Sequence, residues 1–201
     1  MSYSMNTIQG WISEARTTFS AKTDELNELD AVIGDGDHGT NMAAAFASAA
    51  QMDFSSHDSP AEIFRQIGLT FLGAGTVGGR MFFGTFFLAL GANWPSEENT
   101  PRVAAAFREA RNAVQARTGL DAGDKSMIDA LDAAVRAMQA LDADVPLQDA
   151  WKAAAEAAAE GAQATADMID KANPQSEFAL GTVDAGAQAM AILLDVATRH
   201  L

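Results

Sequence analysis

Leu29-Asp30-Ala31-Val32-Ile33-Gly34-Asp35-Gly36-Asp37-His38-Gly39-Thr40-Asn41-Met42 is the stretch that decides how this chain is read. Asp30, Asp35 and Asp37 fall within eight positions and are interleaved with glycines. Carboxylates this close repel one another, and a cation removes that cost. Small hard cations take oxygen ligands, so magnesium or another hard divalent ion suits the set. Side chains five and two residues apart do not share one helix face. The spacing therefore predicts a short helix over about 24–33 with Asp30 near its end, a glycine turn carrying Asp35 and Asp37, and a new helix from near Gly39 to about Met52. The free N–H groups of that new helix face back toward the acids and place anion donors beside cation ligands. A metal–phosphate complex satisfies both.

A capping loop, with Asp37 as N-cap and the other acids in solvent, is the plain alternative. An EF-hand loop counted from Asp35 fails, because Gly39 and Thr40 stand where an acid or amide and then a glycine belong, and Phe46 stands at the final Glu. Zinc is disfavoured, since His38 is the only nitrogen ligand of the motif and the chain has no cysteine. His38 either orients a phosphate or bonds to a neighbouring carboxylate. Asn41 either donates to phosphate or serves its own helix.

Outward from this motif the chain reads as all-helical. Ile8, Trp11, Ile12, Ala15 and Phe19 recur at helical spacing. Pro60 and Pro101 are placed to open helices. Met81–Leu90 is apolar nearly all round and reads as a central helix. Trp151 anchors a long alanine-rich helix over about 146–169, and Ala185–His200 is the last, with Ala189, Ile192, Leu193 and Val196 inward. Eight or nine helices with short loops predict antiparallel neighbours.

Three further glycine breaks repeat the layout of turn and helix start. Gly73–Arg80, with Gly78, Gly79 and Arg80, is neither a dinucleotide fingerprint nor a Walker loop. Gly119–Gly123 precedes Asp124-Lys125-Ser126-Met127, where Asp124 is a candidate cap, Lys125 either neutralises an acid or faces water, and Met127 packs on a purine or on its neighbours. Gly181-Thr182-Val183-Asp184-Ala185-Gly186 is the last. Antiparallel helices allow these breaks to meet at one end of a bundle.

The 201 residues and 48% apolar content support one globular domain over 1–201. A net charge of −14 without a basic cluster argues against nucleic acid. No run is apolar enough to span a bilayer, and the N-terminus lacks the features of a signal peptide, so the expectation is a cytoplasmic chain.

Taken together, the acidic motif, Gly84-Thr85-Phe86-Phe87, Gly123–Leu131 and Gly181–Gly186 resemble, in order, the nucleotide-binding L subunit of dihydroxyacetone kinases (the DhaL, or DAK2, domain family). The resemblance covers essentially the whole chain. It implies an antiparallel eight-helix barrel closed around a nucleotide site at one end. It implies two Mg2+ ions held by Asp30, Asp35 and Asp37, and ADP or ATP framed by His38, Asn41, Gly78, Gly79, Arg80, Gly123, Met127, Asp184 and Gly186. Phosphate then passes to dihydroxyacetone or a related small ketose on a separate substrate-binding kinase subunit. A phosphotransferase-system carrier that rephosphorylates bound ADP, and a transcriptional regulator, are further partners the family allows. The chain departs from the family where Gly79 replaces a usual serine, Arg80 a glycine, and Asn173–Gly181 lacks a usual arginine; Arg80 is a candidate to compensate. A nucleotide-binding regulator with lost transfer is the alternative function, and a helical protein with a merely structural cation is the plainest one.

Overall fold

The computed structural model describes residues 4–73, 79–171, 173 and 176–201. Among them lie nine α-helices, three short 3-10 turns and no strand. The helices are α1 Met5–Ala21, α2 Thr23–Asp30, α3 His38–Ala49, α4 Pro60–Gly73, α5 Gly79–Asn93, α6 Thr100–Thr118, α7 Met127–Gln139, α8 Leu147–Ala164 and α9 Ala185–Ala197.

Local chemistry explains where they begin and end. Ser4 caps α1 by accepting from the Thr7 N–H at 3.1 Å. Asn99 does the same for α6 through Arg102, with Pro101 in the first turn. Gly119, at φ 71°, closes α6 in the left-handed conformation that lets its N–H bond back to Gln115.

Several ends differ from the sequence expectation. α2 stops at Asp30 instead of running to Ile33, because the next residues turn back on Asp30. α3 ends at Ala49 and α8 at Ala164, the latter tightening into a 3-10 turn over Thr165–Asp167. α9 ends at Ala197. Within α9, Ile192 is half-buried, whereas Ala189, Leu193 and Val196 are fully inside.

The helices pack in a cycle. α1 packs on α3, α3 on α4, and each later helix on the next, until α9 returns to α1. α2 lies against α3 and α9. The result is a closed helical bundle. Its interior is aromatic: Trp11 of α1 sits 5.8 Å from Trp151 of α8, 6.1 Å from Phe64 of α4 and 6.0 Å from Phe87 of α5. Phe107 of α6 meets Trp151 edge-on at 5.1 Å. The indole N–H of Trp11 is satisfied by the Leu193 carbonyl at 3.0 Å. Each fully buried ring of this kind stabilises the fold by roughly 1.5–3 kcal/mol through apolar burial. The small residues let these rings meet: Gly68 of α4 and Gly84 of α5 lie where a Cβ would strike Leu88 and Leu72 of the opposing helix. Among the described residues no helix is long and apolar enough to cross a membrane.

Candidate functional site

The acidic motif folds as a turn organised by one of its own acids. Asp30, at the end of α2, accepts from the N–H groups of Gly36 at 2.9 Å and Asp37 at 3.0 Å. That closure needs Gly36 at φ 75°, a conformation a side chain resists. It also needs Gly39, where a Cβ would run into the Thr23 carbonyl, so α3 starts hard against the α1–α2 junction. One oxygen from each of Asp30, Asp35 and Asp37 then lies within 4.8 Å of the others. Burial, followed by the charges of Asp35 and Asp30, raises the pKa of Asp37, while a hydrogen bond from Asn41 opposes the rise. Asp37 takes the N-cap position of α3 but its carboxylate makes no capping hydrogen bond. The plain capping reading therefore fails for this residue.

An octahedral Mg2+ binds oxygens at about 2.1 Å and spans about 4.2 Å between opposite ligands. The all-oxygen set fits such an ion after a small closure of the acids.

The turn forms one side of a cavity of about 410 Å³. All four glycine breaks contribute to it: Asp30, Asp35, Asp37, His38 and Asn41 from the first; Gly79 from the second; Lys125, Ser126 and Met127 from the third; Thr182–Gly186 from the fourth. Four helices, α3, α5, α7 and α9, begin at residues that line it. The N–H groups and positive dipole ends of four helices thus meet around one space. Arg80 and Gly123 are not among the described residues lining it; Arg80 follows Gly79, which does, and Gly123 stands two positions before Lys125. Gly78 lies outside the described residues.

His38 is 8% exposed, and its Nε2 finds no hydrogen-bond partner among the described residues. Burial pushes its pKa down, against the pull of Asp30, so the imidazole is neutral near pH 7. Its ring fills the place of a side chain at Gly79, where a Cβ would come within 2.5 Å of Cε1. A serine at position 79 requires that ring to move.

The wall opposite the acids is built differently. Ser126, not Asp124, caps α7: its hydroxyl accepts from the Ile128 N–H at 3.2 Å. Asp129 completes the capping box, taking the Ser126 N–H at 2.7 Å and the Gly123 N–H at 2.5 Å. Asp124 instead pairs with Lys171 at 2.7 Å and accepts from the Asp121 N–H, which holds its carboxyl below the usual range. Lys125 neither faces water nor bonds an acid. It is 3% exposed at φ 58°, a backbone state that costs about 1–2 kcal/mol for a residue with a Cβ. Asp184 caps α9 through Ala187, and burial pushes its pKa up to about 7. Sequence reasoning missed Asp129, Asp170 and Lys125 as parts of this wall; a serine followed three positions later by an acid, at 126 and 129, is the signal that points to the first.

Residues 32–199 match the DAK2 domain family. The chain belongs to that family. A D-erythrulose kinase of Mycolicibacterium smegmatis is 35% identical over 84% of this chain and 31% of its own length. The ADP-binding subunit DhaL of a PEP-dependent dihydroxyacetone kinase of Listeria innocua is 33% identical over 89% of this chain and 86% of its own length. The crystal structure of the Citrobacter freundii dihydroxyacetone kinase in complex with AMP-PNP and Mg2+ superposes with a TM-score of 0.74 at 26% identity. That match covers 99% of this chain and 34% of the kinase chain. This DAK2-family chain therefore spans about a third of the length of the larger kinases it resembles.

Proposed function

We propose that this chain is the nucleotide-binding subunit of a dihydroxyacetone-kinase-type phosphotransferase and works with a separate substrate-binding subunit. The observation that carries the reading is the charge pattern of the cavity. Asp30, Asp35, Asp37, Asp170 and Asp184 line it, together with four helix starts. Among the described lining residues the one lysine or arginine, Lys125, is bonded to backbone carbonyls. A phosphate chain entering this space needs a cation to offset the acids and finds N–H donors for its oxygens. A magnesium nucleotide meets both demands, and the volume suits a ligand of that size.

In this reading residues 1–201 form one nucleotide-binding domain, an antiparallel eight-helix barrel with α2 outside. The cyclic packing of the other eight helices supports it, as does the start of every second helix at the cavity. Asp30, Asp35 and Asp37 would hold Mg2+, two ions by the family resemblance, and the metal supplies charge neutralisation on the transferring phosphoryl group. His38 presents a neutral imidazole to the phosphates, and Asn41 steadies Asp37. Met127, Asp184 and Gly186 bound the opposite side, where the base lies.

The acceptor is dihydroxyacetone or a related small ketose, in keeping with the names of the relatives. Relatives covered over most of their length bear PEP-dependent or PTS-dependent names, which favours a phosphocarrier that recharges bound ADP over exchange with free ATP. The test is reconstitution: with a dihydroxyacetone-binding subunit and a labelled phosphocarrier or labelled ATP, the chain transfers label to dihydroxyacetone. Absence of transfer from either donor contradicts the reading.

A further inference from the structure

A buried lysine outside the metal half of the site has all its donors committed to main chain. Lys125 Nζ donates to the carbonyls of Thr165 at 2.6 Å, Thr182 at 2.7 Å and, more weakly, Ala179 at 3.4 Å. An ammonium has three donors, so none is left for a phosphate. The carbonyls come from two places far along the chain: the 3-10 turn that ends α8, and the segment just before α9. Among the described residues no carboxylate bonds the ammonium directly, while Asp184, Asp170, Asp129 and Asp167 surround it and favour its charge against the burial that lowers its pKa.

The same junction is fixed from other sides. The Asp184 N–H donates to Thr165 Oγ1 at 2.8 Å, and the Gly181 N–H to the Ala166 carbonyl at 2.8 Å. Thr182, Val183 and Asp184 line the cavity. The unusual φ of Lys125 directs the side chain into this junction, and the capping box next to it holds that φ in place.

We propose that Lys125 is a positioning residue of the nucleotide site: its ammonium, gripped by carbonyls of Thr165 and Thr182, holds the 179–184 segment in place as a wall of the cavity. The consequence for ligand affinity rests on the nucleotide-binding reading above; the consequence for the segment itself does not. The Thr165 and Ala179 carbonyls also accept from the N–H groups of Met168 and Thr182. Removing the ammonium therefore costs the Thr182 carbonyl its donor and breaks the link from Thr182 to Thr165, and the segment moves to recover that bond from water. No neutral side chain of similar volume restores the contact.

The test uses the whole chain with Lys125→Gly, which adopts the required φ without strain, and Lys125→Met, which keeps the volume but not the charge. In Lys125→Gly, amide hydrogens of residues 176–184 exchange at least tenfold faster, and n-butylammonium reverses the change while n-butanol does not. Affinity for Mg·ADP, measured by calorimetry, falls at least tenfold in both variants, and n-butylammonium restores it in Lys125→Gly. Exchange and affinity within twofold of the unmodified chain overturn the proposal, as does a loss that butanol repairs equally or that butylammonium leaves untouched. If the unmodified chain binds no Mg·ADP, the nucleotide reading fails alone, and the exchange result still decides the role of Lys125.

Discussion

The two walls of the cavity solve opposite electrostatic problems. On the α7–α9 side most charges are answered from within the protein: Asp129 by the N–H groups of Gly123 and Ser126, and Lys125 by three carbonyls, while Asp184 keeps the Ala187 N–H but is pushed toward its neutral form by burial. On the α2–α3 side three carboxylates crowd within 4.8 Å, Asp37 is pushed toward its neutral form, and His38 buries a ring nitrogen that has no partner among the described residues. The first wall is nearly finished on its own; the second keeps its carboxylates in mutual conflict. Self-satisfied charges mark scaffolding, and charges left in mutual conflict mark the place where function acts.

The largest expected effect breaks the α2–α3 wall. Asp35→Asn combined with Asp37→Asn lowers affinity for Mg·ADP at least a hundredfold by calorimetry. The melting temperature does not fall, because the change removes repulsion and no structural bond from Asp30. Affinity within tenfold of the unmodified chain sinks the metal reading.

Next in size is the α7–α9 wall. Asp129→Ala strips the capping box and two backbone donors of their acceptor and costs about 2–3 kcal/mol in urea unfolding. A loss under about 0.5 kcal/mol shows that wall to be less coupled than its hydrogen bonds imply.

The smallest effect lies within the α7–α9 wall, at Asp184. Its pKa is raised from 3.8 to about 7, so the folded state favours the protonated acid. The stability this contributes is fully present below about pH 4 and is lost as pH rises through 7. Asp184→Asn keeps a capping side chain and removes that loss. The variant therefore gains on the order of 1 kcal/mol on the unmodified chain between pH 4 and 8. Parallel stability curves over that range rule the effect out.

The sequence is legible here where the signal is local. The stripe Ile8, Trp11, Ile12, Ala15 and Phe19 is a 3.6-residue period, and all five side chains are buried as the period requires. The glycine breaks are equally local, and their meeting at one cavity follows from short loops between helices that pack on their neighbours in turn. Lys125 is illegible for a physical reason. Its partners are backbone carbonyls 40, 54 and 57 residues away, which any residue type supplies. Its positive φ is one that sequence assigns to glycine, not lysine. Asp124 was the expected cap of α7 because it follows the glycine turn, yet Ser126 stands one position before the first helical residue and holds the capping geometry. The helix ends at Asp30 and Ala164 are less legible: the residues after Asp30 turn back on it through its carboxylate and carbonyl, and the turn after Ala164 carries the Thr165 carbonyl that Lys125 bonds from 40 residues away.

The most direct measurement of the central claim is native mass spectrometry of the purified chain in excess Mg·ADP, before and after chelation. The account predicts one ADP and two metal ions bound together, both lost when magnesium is removed. A chain that takes up neither, or that binds ADP equally well after chelation, contradicts it.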